Sequence, residues 1–393
     1  MKRLISLFLT FILVITLLPA AVFAYEFEDD DTPDKLPNAV GHRNEAVMMI
    51  NYTSADTLPN GRFGVLFPFK LKPGLYEVSM AIHPLYDYDE PYIIAHAGLY
   101  EDDELIEPVN AIEVYENHVI TSTAAEQYSR SMIFRITSER EYYLTSYCDD
   151  PDISKMDVYL TLNRLSDPAS GIKAPKDYGV FPDDTAKPKV VSYTAAHTGY
   201  IELWTTSATR TALTTKAGKV VSKQYKAGTG YPVFFGVKKG VKYKLSIAWP
   251  TNGPEAGPTA DYGYALEVRK GSVPLTGGKR RSQASLLKLK KAKSGLIAAG
   301  DSGAKWYGFK VTKKKRISIR VKGGTCNKIK LSLYKEKGTK PISTKYISYA
   351  SRAEVTPIWW EPSAKLAPGH YYIKVQRSGT TSSGWYNLQW RYR

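Results

Sequence analysis

A basic run near the end of the chain could bind an anionic ligand. Residues 310–322 read KVTKKKRISIRVK, with seven basic residues among thirteen. Cations this close together attract phosphates and other anions, and added salt weakens the attraction. The sequence therefore predicts a polyanion-binding set, which consists of Lys310, Lys313, Lys314, Lys315, Arg316, Arg320 and Lys322. The alternative is a solubilising surface on which lysines guard an edge strand.

Two adjacent aromatic residues, Trp359 and Trp360, offer a second way to hold a ligand. Successive side chains of a strand point to opposite faces, so one indole should point outward and the other inward. The outward ring could stack on the face of a sugar, and the alternative is that it packs beneath a neighbouring loop. On this basis we predict Trp359 and Trp360 as glycan-stacking residues.

Two fragments typical of serine proteases also occur, TAAH at 194–197 and GDSG at 300–303. On that interpretation His197 would be the general base and Ser302 the nucleophile. Such an enzyme also needs an Asp to orient the imidazole and two barrels that share a cleft. Between the fragments the sequence has Asp261 alone, in a stretch of Pro and Gly. We therefore predict no catalytic residues and interpret GDSG as a turn that enters a strand.

Acidic clusters occupy the first half of the chain, at 86–90 (YDYDE), 101–104 (EDDE) and 148–152 (CDDPD). They supply carboxylate oxygens of the kind that Ca²⁺ takes, but none has the D-x-D-x-D-G spacing of a calcium loop. Solvated loops are the favoured interpretation. A calcium site stays open as an alternative, and no cofactor or metal ligand is predicted.

The elements that would position these side chains are β-strands. Apolar and polar residues alternate in segments such as GYIELW, KYKLSIAW, RISIRV and KIKLSLY, and Gly and Pro separate the segments at short intervals. The pattern predicts an all-β protein made of tandem jelly-roll-like β-sandwich domains.

The start of the chain indicates export. Residues 1–24 have two basic residues, an apolar stretch and small residues before Tyr25, the pattern of a cleaved signal peptide. We predict a secreted protein, without a membrane span after cleavage. The predicted domains are an acidic leader (25–40), an acidic β-sandwich (41–165), a linker (166–189), a β-sandwich (190–271), a basic linker (272–295) and a basic β-sandwich (296–393).

Charge is divided unevenly along the chain. Residues 25–170 hold 27 acidic and 10 basic side chains, a net charge of −17, whereas residues 171–393 hold 11 and 42, a net charge of +31. Residues 276–393 alone hold 27 basic and 4 acidic side chains, a net charge of +23. An exported polycation of this kind implies a polyanionic partner.

One closing hairpin occurs three times along the chain. A Gly is followed three residues later by Tyr and then by alternating strands, as at Gly240 with Tyr243 and Gly369 with Tyr372. The first sandwich keeps the frame at Tyr143 without the Gly. The pattern predicts a Tyr that packs its ring at the sandwich edge while its hydroxyl bonds to the backbone.

Residues 296–393 resemble the bacterial pre-peptidase C-terminal domain, a secreted jelly-roll β-sandwich, and residues 190–271 resemble it less. The resemblance depends on an aromatic opening strand, an L-x-L-Y strand and the G-x-x-Y hairpin. These residues are Trp306, Tyr307, Phe309, Leu331, Leu333, Tyr334, Gly369, Tyr372 and Tyr386. Family members usually have Asp in the middle strand where this chain has Lys328 and Lys330, so a calcium role is not carried over.

These observations predict a secreted, non-catalytic bacterial surface or matrix protein. Its basic sandwiches would bind an anionic cell-wall polymer or glycan. One alternative is a secreted hydrolase with its active site among the acidic residues of the first sandwich. Another is a structural adhesin that assembles through its oppositely charged halves.

Overall fold

The computed structural model describes residues 44–51, 56–59, 63–84, 92–101, 115–120, 128–148, 156–180, 188–205, 209–224, 232–248 and 264–393. The chain divides into two compact units, residues 1–167 with 261–264 and residues 168–260 with 265–393. Strands dominate both units, which confirms the all-β prediction. The described part also has three short 3-10 helices, Pro168–Ser170, Arg281–Gln283 and Tyr349–Ser351. Within it, no helix has the length and apolar character needed to cross a membrane.

The first unit contains two antiparallel sheets. Its strands are β1 (Asn44–Asn51), β2 (Asp56–Thr57), β3 (Phe63–Leu71), β4 (Gly74–Pro84), β5 (Tyr92–Tyr100), β6 (Tyr115–Ile120), β7 (Tyr128–Ile136), β8 (Arg140–Cys148) and β9 (Met156–Leu165). One sheet has the order β1-β9-β4-β7 and the other β2-β3-β8-β5-β6. Each sheet buries one face: Val78 and Leu162 of the first and Phe69 and Leu144 of the second are almost inaccessible to solvent.

The second unit begins with a sandwich of two four-stranded sheets. Its strands are β10 (Lys176–Val180), β11 (Lys189–Thr194), β12 (Gly199–Thr205), β13 (Arg210–Thr215), β14 (Val220–Gln224), β15 (Val233–Val237), β16 (Lys242–Ala248) and β17 (Tyr264–Ser272). The sheets have the orders β10-β17-β12-β15 and β11-β16-β13-β14. Alternate residues of β12 and β16, such as Ile201 and Leu245, are fully buried. We call this the second sandwich.

The third sandwich completes the second unit. Its strands are β18 (Ser285–Leu286), β19 (Lys293–Ile297), β20 (Lys305–Val311), β21 (Ile317–Lys322), β22 (Thr325–Cys326), β23 (Lys328–Lys335), β24 (Ser343–Ser348), β25 (Ile358–Trp360), β26 (Gly369–Arg377) and β27 (Ser383–Tyr392). The order β19-β27-β21-β25, with β22 also pairing with β27, defines the front sheet. The order β18-β20-β26-β23-β24 defines the back sheet. One continuous apolar core lies between them.

Both segments predicted as linkers contain strands. β10 lies within 166–189 and joins the sheet of β17, while β18 lies within 272–295 and joins β20. In the second segment, two apolar residues, Val273 and Leu287, are buried. Leu287 is buried in the core of the third sandwich, and its backbone N–H donates to the Gly308 carbonyl at 2.8 Å. The many lysines around Leu287 give the segment the composition of a linker although it packs on the sandwich.

A buried tyrosine fastens a Pro-Gly turn in the first and third sandwiches. In KPGLY (72–76) and APGHY (367–371) the hydroxyl of the last residue donates to the carbonyl of the first, at 2.9 Å in each. The Pro-Gly pair reverses the chain, so the ring can lie back against the residue before Pro. Each bond satisfies a hydroxyl that would otherwise be buried without a partner.

In two of the three sandwiches, the buried hairpin tyrosine is the residue immediately before the one that was predicted. Tyr142 and Tyr371, not Tyr143 and Tyr372, are the buried rings with a backbone partner. Because side chains alternate along a strand, a shift of one residue moves a ring to the opposite face. Tyr372 accordingly lies on the outer face of the back sheet. In the second sandwich the prediction is confirmed, since Tyr243 is buried and its hydroxyl bonds to the backbone of Lys238.

Candidate polyanion and glycan site

The outer face of the front sheet presents a row of basic side chains. β21 lies between β27 and β25. Because Ile319 and Val321 of β21 are fully buried, Arg320 and Lys322 of the same strand point outward. On β27 the burial of Trp390 directs Arg391 to the same outer face.

Arg391 forms a stacked pair with Trp359. The two residues lie on β27 and β25, on either side of β21, and the guanidinium carbon of Arg391 is 4.1 Å from the centroid of the Trp359 ring. The Arg391 side chain therefore crosses the outer face of β21. Trp359 is 42% exposed, and Arg320 is its direct partner in the strand register. A cation, an aromatic ring and a second cation thus adjoin on one accessible surface.

A hydroxyl lies beneath this pair. Ser318 faces Arg391 in the register of β21 and β27 and alternates with Arg320, so its side chain points to the outer face. It is nevertheless only 1% exposed, and its hydroxyl has no hydrogen-bond partner among the described residues. The Arg391 side chain, whose residue pairs with Ser318 in the register, crosses the same face of β21 to reach Trp359.

Of the two predicted tryptophans, the structure leaves one accessible. Trp360 pairs with Ile319, is 3% exposed and donates from its indole Nε1 to the Ser343 hydroxyl at 2.8 Å. It is a core residue and cannot stack on a glycan. The expected alternation of one inward and one outward ring is present, with Trp359 as the outward one.

The predicted basic set is distributed over three places. Arg320 and Lys322 lie on the outer face of the front sheet, whereas Lys310 lies on the outer face of the back sheet, because Phe309 and Val311 beside it are buried. Residues 313–316 form the exposed turn between β20 and β21. The run thus passes from one face of the sandwich around its end to the other face. Its seven cations do not converge on one point.

Tyr392 fastens this turn to the end of β27. The backbone N–H of Thr312 donates to the Tyr392 hydroxyl oxygen at 2.9 Å, and the Thr312 hydroxyl lies 3.0 Å from it. Partial burial acts to raise the pKa of Tyr392, but the hydrogen bonds from Thr312 and Lys313 and the charge of Lys313 outweigh it, so the pKa is lowered. These bonds hold the end of β27 against a turn whose residues Lys313, Lys314, Lys315 and Arg316 are exposed.

The other end of the row meets the second sandwich. Burial raises the pKa of Glu354, and the nearby charge of Glu202, from the second sandwich, raises it further, while Arg352 and Lys322 act in the opposite direction. Burial also raises the pKa of Glu202 itself. Because Lys322 faces a carboxylate here, Arg320 and Arg391 are the cations best placed to receive a ligand.

The described contacts of His197 and of the residues around Ser302 are not those of a serine protease site. The Nε2 of His197 lies 3.1 Å from the Gly271 carbonyl oxygen and 3.3 Å from that of Tyr200. Both neighbours are carbonyl oxygens, which accept hydrogen bonds, so Nε2 carries a hydrogen and is the donor to them. Ser302 lies in an exposed turn beside Asp301, whose carboxylate pairs with Lys238.

Most of the predicted acidic clusters lie outside the described residues, as do the signal peptide and the acidic leader, residues 1–40. Of the clusters, Glu101 and the backbone of Cys148 are described, and Glu101 pairs with Arg140. Within the described residues no group of three or more His, Cys, Asp or Glu is arranged to hold a metal ion.

Comparison with known proteins gives structural neighbours only. No protein-family model matches the chain. No curated protein matches it either. Among solved structures it is similar to the pre-peptidase C-terminal domain of collagenase from Bacillus anthracis, with 20% identity, a TM-score of 0.21, and coverage of 27% of this chain and 93% of that one.

Two further solved structures show similarity of the same order. The triple jelly-roll protein of an archaeal virus turret is 10% identical over 86% of this chain and 83% of that one, with a TM-score of 0.21. The N-terminal CBM22-1-CBM22-2 tandem domain of Xyn10C from Paenibacillus barcinonensis is 10% identical over 58% of this chain and 91% of that one, with a TM-score of 0.18.

Arg391 is the residue of this site that the sequence analysis missed. The sequence holds a signal for it, because Tyr386, Leu388 and Trp390 alternate along the closing strand as the apolar residues of one face do. Their intervening neighbours must then point outward. What the alternation could not show is that β25 lies on the far side of β21, which brings Trp359 within reach of Arg391.

Proposed function

We propose that this protein is a secreted, non-catalytic bacterial surface or matrix protein that binds an anionic cell-wall polymer or glycan. The outer face of the front sheet is the binding surface. In this proposal Arg320 and Arg391 contact the anionic groups, and Trp359 stacks on a sugar ring of the same polymer. The cations of the 313–316 turn extend the attraction beyond the sheet.

The observation that carries the proposal is the Trp359–Arg391 pair beside Arg320. An arginine stacked on an accessible indole combines a flat apolar surface with a charge, which suits a sugar that carries phosphate or carboxylate. In the described part of the chain neither Arg320 nor Arg391 has an ion-pair partner. A ligand anion would therefore replace water rather than a carboxylate of the protein.

The spacing of the row suits a linear polymer. Outward side chains two residues apart on a strand are about 6.7 Å apart, and the exposed turn that ends at Arg316 lies directly before β21, four residues from Arg320. A polymer with regularly repeated charges can contact several of these positions at once. Each additional contact lowers its dissociation rate, and the whole interaction weakens with salt.

Retention on purified Gram-positive cell walls tests the proposal. The full chain should sediment with the walls at low salt and be released steeply as salt is raised. Walls from which phosphodiester polymers have been extracted should retain less of it if the ligand is phosphate-bearing. Retention that survives extraction but is lost after carboxylate groups are blocked would assign a carboxylate-bearing glycan instead.

A charge-reversal pair localises the binding. Arg320→Glu with Arg391→Glu should weaken retention roughly tenfold to a hundredfold, because two attractive contacts become repulsive. The matched control is Lys216→Glu with Lys219→Glu, which makes the same change of charge in an exposed turn of the second sandwich. If both variants lose retention equally, net charge and not this face explains binding, and the proposed site is wrong.

A further inference from the structure

The back sheet of the third sandwich carries a second surface of the same chemistry. Lys310, Lys330 and Lys374 lie on its three central strands, and their neighbours along each strand are buried in the core, so these lysines point outward. None of the three has an ion-pair partner within the described residues. Lys374 pairs with Trp306 on one side and Ser332 on the other in the strand register.

Two cation–aromatic pairs lie on this face. The Lys374 Nζ is 5.6 Å from the centroid of the Trp306 ring, and the Lys330 Nζ is 5.9 Å from that of Tyr346. Tyr346 is 45% exposed, close to the exposure of Trp359 on the front sheet. Each face of the sandwich therefore presents an accessible ring in contact with a cation that has no carboxylate partner.

Arg281 holds the rings of the back face in place. Its guanidinium carbon lies 5.2 Å from the Trp306 ring centroid and 5.0 Å from that of Tyr334. The same group donates to the carbonyls of Glu336 and Gly338, at 3.1 and 2.8 Å. Because these contacts occupy the guanidinium, Arg281 is a positioning residue. The groups left for a ligand are Lys310, Lys330, Lys374 and Tyr346.

We infer that the third sandwich is bivalent and cross-links two chains of an anionic polymer, one on each face. The inference rests on the proposed function and extends it from one surface to two. The sheets of a sandwich are about 10 Å apart and their outer faces point in opposite directions. A polymer that lies flat on the front face cannot contact Lys330 and Lys374 at the same time.

The competing arrangement is one polymer chain that wraps around the end of the sandwich. The exposed basic turn at 313–316 connects the two faces and offers a path from Arg320 to Lys310. Wrapping and cross-linking use the same residues but differ in the number of polymer chains that each protein holds. An experiment that counts polymer chains per protein therefore separates them.

The test uses beads coated with inorganic polyphosphate in two colours and the full chain. Cross-linking predicts mixed-colour bead pairs, counted by flow cytometry, that disappear when free polyphosphate is in excess. The back-face variant, Lys330→Glu with Lys374→Glu, and the front-face variant, Arg320→Glu with Arg391→Glu, should each still bind single beads, with roughly tenfold weaker affinity. Each should form roughly tenfold fewer mixed pairs, because one face is lost.

The outcomes discriminate the explanations. If the wild type binds beads without pairing them, one chain wraps around the sandwich or one face binds, and the inference is wrong. If either single-face variant pairs beads as well as the wild type, pairing arises from self-association and the inference is again wrong. A wild type that does not bind the beads, or any anionic wall, contradicts the proposed function itself. Lys216→Glu with Lys219→Glu should behave as the wild type throughout.

Discussion

Trp385 and Trp359 stand on the outer face of the same sheet, but different groups cover them. Trp385, on β27, stacks against Tyr200 of the second sandwich with ring centroids 5.4 Å apart, and Phe234 meets it edge-on at 6.3 Å. Trp359, on β25, is covered by the single guanidinium of Arg391. The first contact joins two sandwiches, whereas the second leaves a ring that a ligand can reach.

The surroundings of the two rings explain this difference. Around Trp385 the contact is reinforced by hydrogen bonds between the sandwiches: the Ser222 and Ser383 hydroxyls are 2.6 Å apart, and Arg377 donates to the carbonyl of Val221 at 2.8 Å. Around Trp359 the neighbours are arginines, which remain hydrated and change rotamer readily. An outward aromatic ring thus forms a permanent interface where its partners are apolar and hydrogen-bonded, and a binding surface where they are charged.

The largest expected effect is the loss of protein stability when the covered ring, Trp385, is removed. Trp385→Ala should lower the free energy of unfolding of the full chain by about 3 kcal/mol, because it opens a cavity between two aromatic partners. Trp359→Ala should lower it by less than about 1 kcal/mol, as for an exposed residue. Guanidinium unfolding followed by circular dichroism measures both. If both variants lowered the free energy of unfolding equally, the proposed difference between the covered and the accessible ring would be wrong.

The second effect is on binding. Here Trp359, whose replacement costs little stability, matters more than Trp385. Trp359→Ala should weaken retention on cell walls roughly tenfold, since stacking on an aromatic ring is worth about 1–3 kcal/mol. Trp359→Tyr should keep most of the affinity because it preserves a flat ring. A Trp359→Ala variant that binds as well as the wild type would show that charge alone holds the ligand.

The contrast between an inward and an outward ring also holds for adjacent residues of the back sheet. Tyr371→Phe removes a buried hydroxyl that donates to the Ala367 carbonyl and should cost about 1 kcal/mol of stability. Tyr372→Phe changes a residue on the outer face and should cost close to nothing. Thermal unfolding of both variants measures the difference. A larger cost at Tyr372 would mean that the register assigned to this strand is wrong.

The smallest effect is the pH dependence of stability that comes from Glu202 of the second sandwich and Glu354 of the third. Glu202 and Glu354 have pKa values raised above their ordinary value of 4.5, first of all by burial. The folded state therefore binds protons more tightly than the unfolded state, so stability is greatest below the ordinary pKa and falls as pH rises through the raised values. Glu354→Gln should flatten this dependence in unfolding measured between pH 4 and 7. An unchanged slope would mean that Glu354 does not contribute.

How far the sequence predicts this protein depends on the range of the interaction. The alternation of Tyr386, Leu388 and Trp390 in the sequence matches the buried face of β27, because alternation is a local property of a strand. The Tyr371 and Tyr372 pair was assigned to the wrong faces, since two identical neighbours give no signal for register. Which distant strands pair with each other could not be predicted from these local patterns.

The candidate site shows the same limit. Lys310 and Arg320 are ten residues apart in one basic run, yet the turn between them places the two side chains on opposite sheets. Conversely, Trp359 and Arg391 are far apart in the sequence and stack in the structure because β25 and β27 both flank β21. Composition identified the charge, and only the sheet order shows which charges share a surface.

The salt dependence of binding tests the central claim most directly. The logarithm of the binding constant for purified cell walls is measured against the logarithm of salt concentration for the wild type and for Arg320→Gln with Arg391→Gln. If these arginines contact the polymer, the variant should have a slope smaller in magnitude by about 1–2, roughly one for each lost contact. A slope equal to that of the wild type would contradict the account, because the anionic ligand would then be held elsewhere.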